Sequence, residues 1–323
     1  MYLVPDGDEL EIANAAAGYL ADAMSIDRLH VPGAADLTVD LRQGLAEMGW
    51  YALALPEGTG GSGLSAVEHA LFFREVGRQC GPVDVLAQCL AAMTVEDAAL
   101  LAKIVSGEVG VALAVSVGAG LRLLGSPDAD YALLVSRDAA KLLSLTVAKA
   151  EARSSLDPAI SMRLLADDLP VAATRDGDYV WQMGQLATAA QLVGISEATL
   201  DQIVEYSKVR ETFGKKIGSW QAVRHPCADM AVRLEAARSQ LWFAATAMKE
   251  GRADAAVHLD AAKHLANLAA AANTDSNIQL HGGIGVTDEH HAHLYMKHAL
   301  VLAKLFGAKR DLLGRLLNAE VED

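Results

Sequence analysis

Hydrophobic and polar positions divide the chain into three stretches of different period. From residue 7 to about 105 apolar residues recur at helical spacing. Ser65 followed by Glu68, and Thr94 followed by Asp97, have the shape of a helix-starting capping box or its Asp variant. Before Ser65 lies LPEGTGGSGLS, residues 55–65. No strand leads into its glycines and no lysine follows them, so it reads as a connecting loop and not as a phosphate cradle. From about 109 to 180 the period shortens to strand-like runs, VGVALAVSVG, YALLVS, KLLSLTVAKA and ISMRLLADD, broken by Gly, Pro and Asp. Four or five strands fit there, fewer than a free-standing barrel uses. From about 182 long helices return. Trp220, Val223, Cys227, Met230, Leu234, Ala237, Leu241 and Ala244 alternate spacings of three and four, the seam of a buried helix that Pro226 should bend. Leu186, Ala189, Val193, Leu200 and Ile203 form a second stripe. The alanine-rich stretch 254–280 gives a third helix, and 288–318 one or two more.

The expected architecture is therefore mostly α: an N-terminal helical domain (1–108), a small middle β domain (109–180) and a C-terminal antiparallel helical bundle (181–323). Composition agrees. The 323 residues are 52% hydrophobic but only 5% aromatic, a balance that favours closely packed, alanine-rich helices. The net charge of −14 offers no electrostatic footprint for nucleic acid or an anionic membrane. No apolar run approaches the roughly 20 residues of a membrane span. Cys80, Cys89 and Cys227 lie far apart without C-x-x-C spacing, which predicts buried thiols in a reducing compartment. The opening MYLVPDGDELEIANAAAGYL is acidic and lacks the basic and long apolar regions of a secretory signal, so a cytoplasmic location is expected.

Two stretches carry more specific chemistry: SKVRETFGKKIGSWQAVRHPCADMA (207–231) and IQLHGGIGVTDEHHAHLYMKHA (278–299). Arg210 is a fixed fork for phosphate and Thr212 adds a hydroxyl. Gly282 and Gly283 remove side chains where a backbone must come close, at a boundary between helices where N–H groups are free. Gln221 and Gln279 offer donor and acceptor together, and Phe213 a flat apolar face. The alternative is that Arg210 forms a surface ion pair, the glycines cap a helix and Gln279 is solvated. R-x-x-F-G with a later Gln, then Q-x-x-G-G-x-G, resembles the signature segments of acyl-CoA dehydrogenases, within that family's order of helices, sheet and helices. The resemblance is firm over 184–299 and looser elsewhere, the 55–65 loop included. It implies FAD as cofactor and an acyl-CoA substrate. It further implies that Arg210, Thr212, Phe213, Gln221, Gln279, Gly282 and Gly283 touch the ADP half of an FAD held mainly by a neighbouring subunit.

The chain also departs from that family. The reaction needs a carboxylate base to remove the α proton while the β hydrogen leaves as hydride. Most members carry a Glu before a Gly on the last helical segment, where Phe306 and Gly307 stand here. Some carry it on the first helix of the bundle, MGQLATAAQLVG, where Gly184 and Gln185 stand. Asp288 and Glu289 are the nearest acids, at positions the family uses for solvated residues. The family's T-E-P-x-x-G-S-D-like loop and W-x-[ST] strand are missing from 109–180, and Trp181 reads as a packing residue. No catalytic residue is assigned. The pattern resembles the base-lacking subunits of heterotetrameric acyl-CoA dehydrogenases, which act on bulky thioesters such as steroid side chains beside a second, full-length chain. The alternatives are a self-sufficient FAD-dependent dehydrogenase with a displaced base such as Glu289, a homo-oligomer in place of the heterotetramer, and a non-flavin assembly subunit.

The run DEHHAHLYMKH holds His290, His291, His293 and His298. Without an H-E-x-x-H motif or a third ligand it predicts no metal site but a polar helix face, with His290 and His293 side by side.

Overall fold

A computed structural model describes residues 5–31, 37–118, 120–146, 150–165 and 169–319. Five helices come first: α1 (Gly7–Ala23), α2 (Val39–Glu47), α3 (Ala66–Arg78), α4 (Val83–Thr94) and α5 (Ala98–Val105). The sequence signals explain their starts. Ser65 and Glu68 form the capping box of α3, and Asp6 with Glu9 forms another on α1. Thr94 does not cap a helix. Its hydroxyl donates to Leu90 O at 2.8 Å inside α4, and Asp97 itself caps α5 by accepting from Leu100 N at 2.8 Å. The 55–65 loop is held by its own backbone, with Gly61, Ser62, Gly63 and Leu64 N–H groups donating to carbonyls at 52–56.

Next come β1 (Val111–Val117), β2 (Gly120–Leu124), β3 (Tyr131–Val135), β4 (Ala139–Ser144), β5 (Glu151–Arg153), β6 (Met162–Leu165) and β7 (Val171–Asp176). They form one sheet in the order β5-β6-β2-β1-β3-β4-β7, with β1 and β3 parallel. Among the described residues seven strands replace the four or five expected, because β2, β5 and β7 are short or exposed and show little alternation. The ends of two predicted runs, 147–149 and 166–168, lie outside the described residues. Alternation along the strands sends Leu113, Leu133 and Leu142 into the main core. Ala114, Leu123, Ala132 and Leu143 form a small cluster on the other face.

The remainder is α6 (Tyr179–Val209), a two-stranded hairpin β8 (Glu211–Thr212) and β9 (Lys215–Lys216), α7 (Gln221–Lys249), α8 (Ala255–His281), α9 (Ala292–Leu302) and α10 (Lys309–Leu316). α6 is the central helix, buried on every side from Met183 to Thr199. It meets α3 backbone to backbone: a Cβ on Gly77 would lie 2.1 Å from Gln191 O, and one on Gly194 2.0 Å from Arg74 O. α6 and α8 run parallel, with Gln185 bonded to Asp260, Gln202 to Asn277 and Tyr206 ring-stacked on His281. α7 runs against α8, pairing Arg233 with Asn273 and Gln240 with His258. The predicted α7 seam is buried from Met230 to Ala244. Its first members Trp220, Val223 and Cys227 are not. No described helix is long and apolar enough to cross a membrane.

Candidate functional site: an occupied base position and a distant set of exposed loops

Two regions matter, and they lie at opposite ends of α6. The first is a cleft of about 710 Å³ between the sheet and the helical bundle. One wall is the ends of β1 and β3 and the start of β4, and the other is Trp181 with the turn 304–308 and α10. Phe306 stands in this turn with φ of 52°, followed by Gly307 at 126°. That backbone is unfavourable for a residue with a Cβ. The Phe306 ring is buried edge-on against Trp181 at 5.4 Å. It also rests on Gly184, where an added Cβ would come within 2.4 Å of it. The two positions at which the sequence lacks a carboxylate are therefore one place in space, filled by an aromatic ring over a glycine.

A carboxylate does stand beside this place, and sequence reasoning missed it. Asp260 on α8 is 4% exposed. It accepts from Gln185 Nε2 at 2.7 Å, from Arg315 through two bonds of 2.6 Å, and from Arg137 at 3.3 Å. Arg137 also lies over the Trp181 ring, 5.2 Å from its centre. Held by two guanidiniums and an amide, Asp260 ties α6, α8, α10 and the β3–β4 turn together. Lys263 Nζ, wholly buried, donates to Leu302 O at 2.9 Å and so secures the end of α9 that leads into the Phe306 turn. Burial pushes its ammonium pKa well down.

Asp288 and Glu289 are not near the cleft. They precede α9, and Phe306 follows it; eleven residues of helix separate the two by about 16 Å. Glu289 is exposed, and the Thr287 hydroxyl holds its carboxyl below the usual range. The histidine run is not one polar face. His290 precedes α9 and its Nδ1 accepts from Ala292 N at 3.2 Å. His298 is fully buried against Asp157 at 2.6 Å. His281 stacks with His290 at 4.4 Å and His291 with His30 at 4.9 Å. No group of three metal-ligating side chains occurs among the described residues.

The second region gathers the predicted ADP contacts. The Tyr206–His281 stack, 4.5 Å between ring centres, joins the last turn of α6 to that of α8. The segments that follow, Arg210–Phe213 and Gly282–Gly283, consequently emerge at one end of the bundle. Arg210 ends α6 and forms no ion pair among the described residues. Phe213 sits at the hairpin tip with φ of 50° and is 95% exposed. Gln221 begins α7 and Gln279 the last turn of α8, both exposed. Gly282, at φ 69°, is the C-cap of α8, so the capping reading holds for it. Gly283 is exposed, and a Cβ added to it would meet nothing within 4 Å. Thr212 is half-buried in β8. An unpaired arginine, an exposed phenylalanine and exposed glycine backbone are groups that could hold an anionic, aromatic ligand.

Comparison with known proteins bears on the family and the fold. The pattern of the acyl-CoA dehydrogenase N-terminal domain matches residues 8–101, and that of the C-terminal domain residues 180–315. The chain is 32% identical over 310 residues to "Acyl-CoA dehydrogenase FadE34" of Mycobacterium tuberculosis, covering 88% of this chain but only 42% of that protein. It is 32% identical over 281 residues to "Acyl-CoA dehydrogenase IpdE2" of the same organism, covering 84% and 83%. Two solved structures share the fold: the Tcur3481–Tcur3483 steroid ACAD G363A variant (TM-score 0.81, 24% identity, 96% and 97% covered) and the ChsE4–ChsE5 complex of M. tuberculosis (0.80, 22%, 98% and 98%). The chain belongs to the acyl-CoA dehydrogenase family.

Proposed function

We propose that the chain is a non-catalytic subunit of a two-component acyl-CoA dehydrogenase. In this reading it lends contacts for the ADP half of FAD to a site whose base and flavin pocket belong to a partner chain. The observation that carries it is the separation along α6: Gly184, beneath the filled base position, and Arg210 are 26 residues apart, or about 40 Å. A dinucleotide held at Arg210 cannot reach the chain's own cleft. FAD, when bound, accepts the hydride of the α,β-dehydrogenation. Arg210 and Thr212 would hold its phosphates, Phe213 would offer it a flat apolar face, and Gln221, Gln279 and the Gly282–Gly283 backbone would hydrogen-bond its polar edges.

The substrate in this reading is an acyl-CoA thioester with a bulky acyl group such as a steroid side chain. The name of the Tcur3481–Tcur3483 steroid ACAD supports that class, and the two-name complexes among the similar folds support a heterotetramer. The divisions 1–108, 109–180 and 181–323 act as the three domains, and the protein works in the cytoplasm.

The test is co-expression with a full-length acyl-CoA dehydrogenase partner, comparing the unaltered chain with Arg210→Ala/Gln279→Ala. Charge-assisted hydrogen bonds contribute roughly 1.5–3 kcal/mol each, so flavin affinity of the assembled complex should fall about tenfold or more. Unchanged flavin content in an intact complex would count against the assignment.

A further inference from the structure

The histidine run plays no part in the function proposed above, and it folds into a row with two other elements. His281 ends α8 and stacks on Tyr206 of α6 at 4.5 Å and on His290 at 4.4 Å. His290 lies 6.5 Å from His291, and His291 lies 4.9 Å from His30 in the 3-10 helix Ile26–His30. Hydrogen bonds fix the protons on the two inner rings. His281 Nδ1 donates to Asn277 O at 2.8 Å, which leaves Nε2 a lone pair, buried and without a hydrogen-bond partner among the described residues. His290 Nδ1 accepts from Ala292 N at 3.2 Å, so this nitrogen must also stay unprotonated. A proton on His281 would meet no acceptor, and one on His290 Nδ1 would break a bond at the start of α9. The charged groups near the row face its other members: Asp27 pairs with His291 at 3.0 Å, Glu289 lies by His30, and Asp288 and Lys297 face His293. Arg28 is turned to the carbonyls of Met24, Ser25, Gln79 and Cys80. No acid is paired with His281 or His290 among the described residues.

We infer that the row is a pH-sensitive latch on residues 282–291: neutral His281 and His290 hold this segment against the ends of α6 and α8, and their protonation frees it while the bundle stays folded. Burial and the neighbouring imidazoles lower His290 to about 4, and burial lowers His281. At pH 7 the rings are largely neutral whether the segment is closed or open. As pH falls from 6.5 toward 4 the open segment takes up protons that the closed one refuses. For His290 alone this favours opening about twentyfold more at pH 5 than at pH 7. One turn inside the stack, Asn277 and Gln202 carry no titrating group and still join α8 to α6. The segment contains Gly282 and Gly283, but the latch needs neither flavin nor partner and stands apart from the role proposed above.

The test is hydrogen exchange of the full chain, read by mass spectrometry at pH 7 and pH 5 and corrected for intrinsic exchange rates. The backbone N–H groups of Thr287 and His290 donate to Ile284 O and Thr287 O and report the segment. Their protection should fall at least tenfold at pH 5, with helical circular dichroism retained. The fall should persist in His69→Leu, which removes a buried histidine that makes the whole fold acid-sensitive. His290→Asn should cut it at least threefold: the position is half-buried, and the Asn oxygen can still accept from Ala292 N without titrating. Adding His281→Phe, which keeps a ring against Tyr206, should abolish it. No protection of the segment at pH 7, no fall at pH 5, a fall that His69→Leu removes, or an unchanged response in His290→Asn overturns the inference. The measurement uses the chain alone, so a failure of the flavin reading leaves it standing.

Discussion

Asp260 shows how one side chain can hold a cleft open. Removing it strands Arg315 and Gln185 beside a buried void, and losing one partner of a largely buried ion pair costs about 3–5 kcal/mol. Asp260→Ala should lower stability by that order in urea unfolding, whereas Arg137→Ala, whose guanidinium is partly exposed, should cost under about 1 kcal/mol. Asp260 was illegible in the sequence because an Asp in an alanine-rich helix reads as solvated, and its partners are 75 and 55 residues away. Phe213 was legible because R-x-x-F-G marks it, although only the structure shows its left-handed backbone. Phe213→Gly should leave the isolated chain as stable or about 1 kcal/mol more stable, by relieving that conformation. The same change should reduce flavin retention in the co-expressed complex. A marked loss of stability in the chain alone would mean that Phe213 serves the fold.

At the scale of elements, α6 is defined by what its glycines admit. Gly194 and Gly77 face backbone atoms, which cannot move aside, so Gly194→Ala should cost about 2 kcal/mol or more in urea unfolding. Gly184 faces a ring instead. Gly184→Ala should cost about 1–3 kcal/mol, and much of that should vanish when combined with Phe306→Leu, a coupling that independent sites would not show. Periodicity revealed the helices but not what covers them. The α7 seam is regular from Trp220 to Ala244, and a spacing of three and four reports only that a stripe needs cover, not that the same chain supplies it. The strands were read where alternation was strong and missed at β2, β5 and β7; β7, for example, is exposed at nearly every position along the sheet's edge.

For the molecule as a whole, acid should be a sharper stress than its carboxylates alone imply. His69 is wholly buried with Nε2 donating to Met183 O, and burial lowers its pKa to about 4. Burial and neighbouring imidazoles take His290 to about 4, and burial lowers His281, His291 and His293. Unfolded histidines titrate near 6.5, so between that pH and about 4 the unfolded chain binds protons that the folded chain refuses. Stability is therefore complete above about pH 6.5 and declines as pH falls toward 4, with His69 alone worth roughly 3 kcal/mol. Urea midpoints at pH 7 and pH 5 should show this decline, and His69→Leu should flatten it.

The central claim is that this chain completes another chain's flavin site and has none of its own. The direct measurement is the visible flavin absorbance of the purified protein, first alone and then after co-expression with a full-length acyl-CoA dehydrogenase partner. The account predicts almost no flavin alone and close to one flavin per pair of chains in the complex. One flavin bound by each chain when it is purified alone would contradict it.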